Sequence, residues 1–461
     1  MSAHTPAAHT APSTAALIVL CMAHFMDAID LSDVTVALPS IQAEYGLSAG
    51  TLGWIVSAYL LGYGGFLLLG GRASDVLGRR RVFLVSVAVF GVASLIATFA
   101  PGVEILIASR FVKGVAAGFL TPAALSLITT MWSEPQARGR AIGVFAMAGA
   151  AGFIGGLVLG GLVTEISWRL AFALPLPFAA AVMILGPRLI PHDRAVARGI
   201  LDAVGAALVT AAFGGLIVYL SIGATEGWTN PFLLALLVAC ALLFTGFVVR
   251  QRLASDPLLP LGFLRRRNTA GSAVAIAALW AAYNGFAFLA TLSMQDALGW
   301  SPLATGLAFV PLGIVNGILA PQMGRLAGRI GAKPLVIVGA VLLAVSYALF
   351  LRVGPDAEFV TEFLPIMVVN GLGLACTFAP LNLAAMDGVP PERQGLAAAI
   401  LNTAMQLGGA IGLAVVTVVT ANSTGTSAYP TATVVIVAMA LAVLLGSLLL
   451  PGRRRRTATD A

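Results

Sequence analysis

The chain has 461 residues, of which 59% are apolar and 10% charged, with a formal net charge of +7. Soluble globular domains carry roughly 25% charged residues, so this composition cannot cover a water-facing surface, and disordered, collagen-like and disulfide-scaffold classes are excluded by the same figures. What remains is a chain of apolar spans of about 20 residues, each long enough to cross a bilayer.

In chain order, residues 1–15 are predicted as a short N-terminal tail. The first 14 residues contain no Lys or Arg, whereas a cleaved secretory signal would start basic and end at a small-residue cleavage site. The first apolar stretch runs straight into Asp27 and is read as a retained helix. Fourteen spans are predicted, at approximately 16–39, 50–70, 82–100, 104–131, 140–166, 170–188, 201–222, 231–250, 271–293, 304–323, 334–353, 361–386, 396–420 and 431–450. They describe an all-α integral membrane protein. A six-helix bundle covers 16–188, a transmembrane hairpin is inserted at 201–250, and a second, pseudo-symmetric six-helix bundle covers 271–450, before a basic tail at 451–461. The connecting loops are too short for a soluble catalytic or regulatory domain.

Position explains the basic residues. Arg72, Arg79, Arg80 and Arg81 follow span 2; Arg138 and Arg140 follow span 4; Arg188, Arg194 and Arg198 follow span 6. Arg250, Arg252, Arg265, Arg266 and Arg267 follow span 8, Arg325, Arg329 and Lys333 follow span 10, Arg393 follows span 12, and Arg453 to Arg456 close the chain. In all, 22 of the 26 basic residues fall on one side, against Arg169 and Arg352 on the other. By the positive-inside rule the basic side and both termini are cytoplasmic. A nucleic-acid partner is not expected, because a basic patch needs a soluble face to present it.

Cys21, Cys240 and Cys376 have no paired spacing, and His4, His9, His24 and His192 are scattered. Neither a disulfide framework, a metal site nor a catalytic cluster is indicated, so no enzyme activity and no cofactor are expected. No Gly-x-x-x-x-Gly-Lys-[Ser/Thr] loop is present, and ATP is not expected as a partner.

An internal repeat is visible. Gly71-Arg72-Ala73-Ser74-Asp75-Val76-Leu77-Gly78-Arg79-Arg80-Arg81 follows span 2, and Gly324-Arg325-Leu326-Ala327-Gly328-Arg329-Ile330-Gly331-Ala332-Lys333 follows span 10. Two related halves in a membrane bundle are a transporter signature, with the substrate site at the repeat interface. In span 5, Gly152, Gly156 and Gly160 recur at i, i+4, i+8, with Gly143 and Gly161 on the same helix. They form a smooth stripe for close helix approach, read either as plain packing or as a flexible seam that helps the halves rock.

Acids inside an apolar helix are the sharper signal. Asp27, Asp30 and Asp33 lie at i, i+3, i+6 on one broad face of span 1. Each ionisable group at the bilayer centre costs on the order of 2.5–3.5 kcal/mol, so they require partners or a water-filled cavity. Span 4 runs the other way and offers Arg110 and Lys113. Counting ~1.5 Å per residue places Arg110 near Asp33 and Lys113 near Asp30, with the register open by one turn. A static ion-pair cluster is the alternative, but buried pairs are poor stabilisers compared with apolar packing. His24 is read as a packing histidine in preference to a proton relay.

These stretches resemble the major facilitator superfamily. The first turn is similar to that family's Gly-x-Leu-x-Asp-x-x-Gly-Arg-[Lys/Arg] loop, with Ala73 at the Leu position, and the second copy has Gly328 where the acid would be. Arg110-Phe111-Val112-Lys113-Gly114 resembles Arg-x-x-Gln-Gly, with Lys113 replacing Gln, and the span-5 glycines resemble the antiporter motif, with Leu157 in place of its proline. Asp30 to Pro39 resembles the Asp-x-Thr-x-Val-Asn-x-Ala-Leu-Pro signature of fourteen-helix drug:proton antiporters, with Ser32 and Thr35 at the Thr and Asn positions. The resemblance implies a loop of Gly71, Asp75, Gly78, Arg79 and Arg80 that latches the cytoplasmic face. It also implies that Asp30 is the main proton-coupling carboxylate, with Asp27 and Asp33 as alternates and Arg110 and Lys113 as partners.

The function this implies is a proton-coupled exporter of small organic compounds such as drugs or antibiotics, working by alternating access in a bacterial inner membrane. Its expected partners are the organic substrate, protons and the lipid bilayer. Three acids against two bases in span 1 and span 4 favour cationic or zwitterionic compounds. A proton-coupled importer or metabolite facilitator of the same fold, and a non-transporting membrane receptor, remain as alternatives.

Overall fold

The computed structural model describes residues 13–132, 134–192, 202–254, 257–259, 262, 266–354, 356–389, 394–422 and 428–450. Residues 1–12 and 451–461, together with Arg194, Arg198, Arg265 and Arg393, lie outside the described residues. The elements are α1 (Thr14–Tyr45), α2 (Ala49–Leu77), α3 (Arg79–Thr98), α4 (Val103–Met131), α5 (Pro135–Thr164), α6 (Arg169–Ala173), α7 (Pro175–Leu189), α8 (Ala203–Glu226), α9 (Pro231–Leu253), α10 (Arg267–Leu292), α11 (Pro302–Ile330), α12 (Ala332–Leu349), α13 (Leu364–Met386), α14 (Gln394–Asn422) and α15 (Ala428–Leu449). Among the described residues, fourteen helices are long and apolar enough to cross a membrane, α6 and α7 together making the sixth. Several run past their predicted ends: α1 continues from Pro39 to Tyr45, because helical hydrogen bonding extends beyond the point where apolar character falls off.

Local chemistry sets the boundaries. Ser13 and Ser48 cap α1 and α2 by accepting the Ala16 and Thr51 backbone N–H groups, each at 3.3 Å. Gly78 separates α2 from α3 at φ +93°, and Gly331 separates α11 from α12 at φ +90°. These are equivalent positions in the sequence repeat, and both occupy a region that side-chain-bearing residues avoid.

The packing repeats as well. α1 lies on α5, α2 on α4 and α3 on α4, while in the second half α10 lies on α14, α11 on α13 and α12 on α13. The halves meet along two equivalent seams, α2 with α14 and α5 with α11, and the α8–α9 hairpin rests against α2 and α14. Asp202 ties the base of that hairpin. It accepts from the Gly205 N–H at 3.0 Å, Arg250 Nε at 3.0 Å and Gln251 Nε2 at 2.8 Å, while Gln251 Oε1 accepts the Leu259 N–H at 2.9 Å. Burial pushes the Asp202 carboxyl up, but these hydrogen bonds outweigh it and hold the group below the ordinary carboxylate range. Next to this tie, Leu258 packs with Leu69 and Ala206, and Leu259 packs against Val389, Ala397 and Ile400 of the second half.

The α5–α11 seam is closed at one end only. Away from the arginine loops, a Cβ on Gly161 would meet the Pro302 carbonyl oxygen at 2.6 Å and Leu303 Cα at 2.8 Å, and one on Gly306 would strike the Leu157 carbonyl oxygen. Gln295 Nε2 also donates across the halves to the Val36 carbonyl at 2.9 Å. Toward the arginine-rich face the same two helices become exposed, and Gly139, Gly143, Gly317 and Gly328 face open space. The bundle therefore opens toward its arginine-rich face.

Candidate functional site

Charges from α1 and α4 converge inside the first half. Asp30, Arg110 and Lys113 are all 0% exposed. Arg110 donates from Nη1 to Asp30 Oδ2 at 2.6 Å and from Nε to the Ile55 carbonyl at 3.0 Å, and its guanidinium lies 4.4 Å from the centre of the Tyr59 ring. Lys113 Nζ donates to Asp30 Oδ1 and faces the rings of Phe90 and Phe172 at 5.0 and 5.5 Å. Gly114 permits the convergence, since a Cβ there would land on the Tyr59 backbone carbonyl. Aromatic faces supplement one carboxylate shared between two cations. The expectation that Arg110 sits beside Asp33 is corrected: the long arginine side chain spans the intervening turn, and both cations meet Asp30.

The flanking acids have different surroundings. Asp27 accepts a hydrogen bond from the Tyr59 hydroxyl on Oδ1, and its Oδ2 lies 4.0 Å from His24 Nδ1. Asp33 is fully buried, and neither of its oxygens has a hydrogen-bond partner among the described residues. Tyr59 was not legible as a site residue, because a tyrosine in an apolar helix looks like packing until a neighbouring acid is placed against it.

The glycines of α5 divide by position. Gly152 abuts Phe25 and Ala28, Gly156 abuts Ile29 and Ser32, and Gly160 abuts Asp33. All three bring α5 onto α1 within the first half and hold the acidic helix in place, so they do not form the seam between the halves. Gly161 meets α11 at the closed end, and Gly143 faces open space.

In the loop, Asp75 pairs with Arg79 at 3.5 Å and its side chain is 42% exposed. Arg79 also donates to Thr130 at the end of α4, and Arg80 donates to the Pro187 carbonyl of α7. Gly71 lies beside Pro122 of α4, and Gly78 supplies the turn. These contacts stay within the first half. Arg79 is one of the charge partners expected for Asp75 in a loop that latches the cytoplasmic face.

Where the halves meet, a central cavity is lined by Leu31 and Thr35 of α1, Phe153 and Leu157 of α5, Trp280, Tyr283 and Asn284 of α10, Phe309 of α11, and Met405 and Gln406 of α14. The lining is aromatic and amide-bearing, with no charged side chain. Trp280 and Tyr283 stack edge-on at 5.1 Å, and the Trp280 indole N–H is buried without a hydrogen-bond partner among the described residues. Asp30 is adjacent in sequence to Leu31, so one turn of α1 presents the charge cluster inward and the cavity wall outward.

A family model described as Major Facilitator Superfamily matches residues 20–285 and 272–461. The chain is 37% identical over 451 residues to the puromycin resistance protein pur8 of Streptomyces alboniger, covering 93% of this chain and 88% of that one. It is 34% identical to the cephamycin export protein CmcT of Amycolatopsis lactamdurans, covering 97% and 94%. Among solved structures, a D-xylose-proton symporter superposes with a TM-score of 0.69 at 17% identity, covering 95% of this chain and 98% of the other, which bears on the fold alone.

Proposed function

Because the chain belongs to the major facilitator superfamily, we propose that it exports small organic compounds of the antibiotic type from the cell in exchange for protons. Relatives named for puromycin resistance and cephamycin export support the outward direction and the substrate class. The arginine-rich face is cytoplasmic in this reading, and the structure then corresponds to the state that loads substrate from inside a bacterial cell.

The observation that carries proton coupling is Asp30, fully buried between Arg110 and Lys113 on the helix that also walls the cavity. Burial and a nearby cation act in opposite senses on a carboxylate's proton affinity, so any rearrangement of the cations about Asp30 links conformation to protonation. Rocking of the halves along the α2–α14 and α5–α11 seams supplies the alternation. Aromatic rings and amides around the cavity support flat, amphipathic substrates, and cation–π contact with Trp280 or Tyr283 accommodates a basic one. Asp30 is enclosed by Arg110 and Lys113 and is not part of the cavity lining.

Expression in an efflux-deficient bacterial host tests this reading. Survival is expected to rise at least fourfold in inhibitory concentration for some aromatic antibiotics or dyes in a broad panel. An unchanged panel, with the protein present in the membrane, would count against export.

A further inference from the structure

We infer that His24 passes protons between Asp27 and the vestibule on the arginine-rich face, a role that rests on the proton-coupled reading above. The imidazole is 21% exposed, whereas the Asp27 side chain behind it is 6% exposed and Asp30 is enclosed. His24 lies seven residues before Leu31, two turns along the same side of α1, and Leu31 lines the cavity. On α5 the residues at 145, 149, 153 and 157 form a single row. Phe153 and Leu157 line the cavity, Phe145 stacks on the imidazole at 4.2 Å and 6°, and a Cβ on Gly149 would strike His24 Nε2. The ring is thus held flat against the wall of the open vestibule.

Its two nitrogens have different surroundings. Nδ1 is buried without a hydrogen-bond partner among the described residues, 4.0 Å from Asp27 Oδ2, while the Tyr59 hydroxyl occupies the other oxygen. Nε2 lies on the Gly149 side and is not among the enclosed unpartnered atoms. Facing this pair are Asp30 on α1, Tyr59 and Tyr63 on α2, and Arg110 and Lys113 on α4, while α5 presents Phe145 and Gly149. A proton leaving the Asp27 carboxyl binds Nδ1, either after a small ring movement or through one water, and gives an imidazolium. The imidazolium then turns about its Cβ–Cγ bond, releases the Nδ1 proton to vestibule water, and turns back as the Nε2–H tautomer it started from. One proton moves from Asp27 to the vestibule, and the histidine is regenerated.

The test uses the full chain in proteoliposomes with ethidium as the probe. Two rates are compared: uptake driven by a pH gradient, and counterflow exchange without one, which needs alternating access but no net proton release. His24→Phe keeps the stack on Phe145 and removes both nitrogens, while His24→Gln keeps polarity without the ring. Both are expected to retain counterflow within about twofold and to lose gradient-driven uptake at least tenfold. Gly149→Ala, which crowds Nε2 without altering a titratable group, is expected to slow driven uptake and shift its pH profile. Wild-type driven uptake and pH profile in His24→Phe, or a deficit confined to His24→Gln, would overturn the relay and leave a stacking role. Wild-type protein with counterflow but no response to the gradient would instead refute proton coupling itself, and the relay with it.

Discussion

Asp30→Asn is expected to lose most of its folded yield in detergent, together with transport. Asp30, Arg110 and Lys113 carry a summed charge of about +1 in an enclosed space, and removing the shared carboxylate raises it to about +2 without adding any solvent. Breaking a buried pair by deleting one partner costs about 3–5 kcal/mol, a large fraction of the roughly 5–15 kcal/mol that holds a typical domain folded. Adding Lys113→Met returns the enclosed charge to its original value. The double variant should therefore recover a monodisperse peak in size-exclusion chromatography and much of the lost thermal stability. It should still fail in gradient-driven transport, because the titrating carboxylate is gone. A singly substituted Asp30→Asn protein with wild-type stability and wild-type driven transport would show that the cluster serves neither the fold nor coupling.

The second large effect separates glycines inside a half from glycines between halves. In Gly156→Val the new Cβ would meet the Ile29 carbonyl oxygen at 2.6 Å and Ile29 Cα at 2.9 Å, backbone atoms of α1 that cannot turn aside. Overpacking typically costs 1–3 kcal/mol, and here it would also displace the helix that carries all three acids, so folded yield should fall severely. In Gly306→Val the collision is with the Leu157 backbone across the halves, where α11 can swing away from α5. That variant should fold yet lose the seal opposite the arginine loops. With Cys21, Cys240 and Cys376 replaced by serine, a cysteine introduced at Thr35 in the cavity wall reports the change. It should be shielded from a membrane-impermeant maleimide applied at the sealed face in the parent and react readily in Gly306→Val. Equal labelling in both would mean that the seam does not gate the cavity.

Much of the architecture was legible because hydrocarbon imposes few solutions. Long apolar runs must become helices, so all fourteen spans could be counted, and Gly78 and Gly331 marked the equivalent turns through their spacing alone. Asp30, Arg110 and Lys113 stood out because charge in an apolar helix demands a partner, although the depth count could not resolve which acid Arg110 would choose. Other features carried no such signal. Phe153, Trp280, Tyr283 and Gln406 line the cavity only because of how α5, α10 and α14 face one another, and nothing in their local sequence separates them from lipid-facing or packing residues. The same holds for Asp202, Arg250 and Gln251, whose tie depends on two helix ends brought together by the hairpin. Asp75 was read as a latch, and a latch is visible only in a state where its own face is shut.

In the proposed mechanism, export is driven by inward proton movement through the α1 acids. With the arginine-rich face cytoplasmic as proposed, everted membrane vesicles place it outward and allow an acid interior to be imposed. Accumulation of ethidium inside such vesicles should begin when the interior is acidified and collapse when nigericin dissipates the gradient, and vesicles carrying the Asp30→Asn/Lys113→Met protein should accumulate none. Accumulation that persists after the gradient is dissipated, or that is unaffected by removing Asp30, would contradict proton-driven export through the α1 acids.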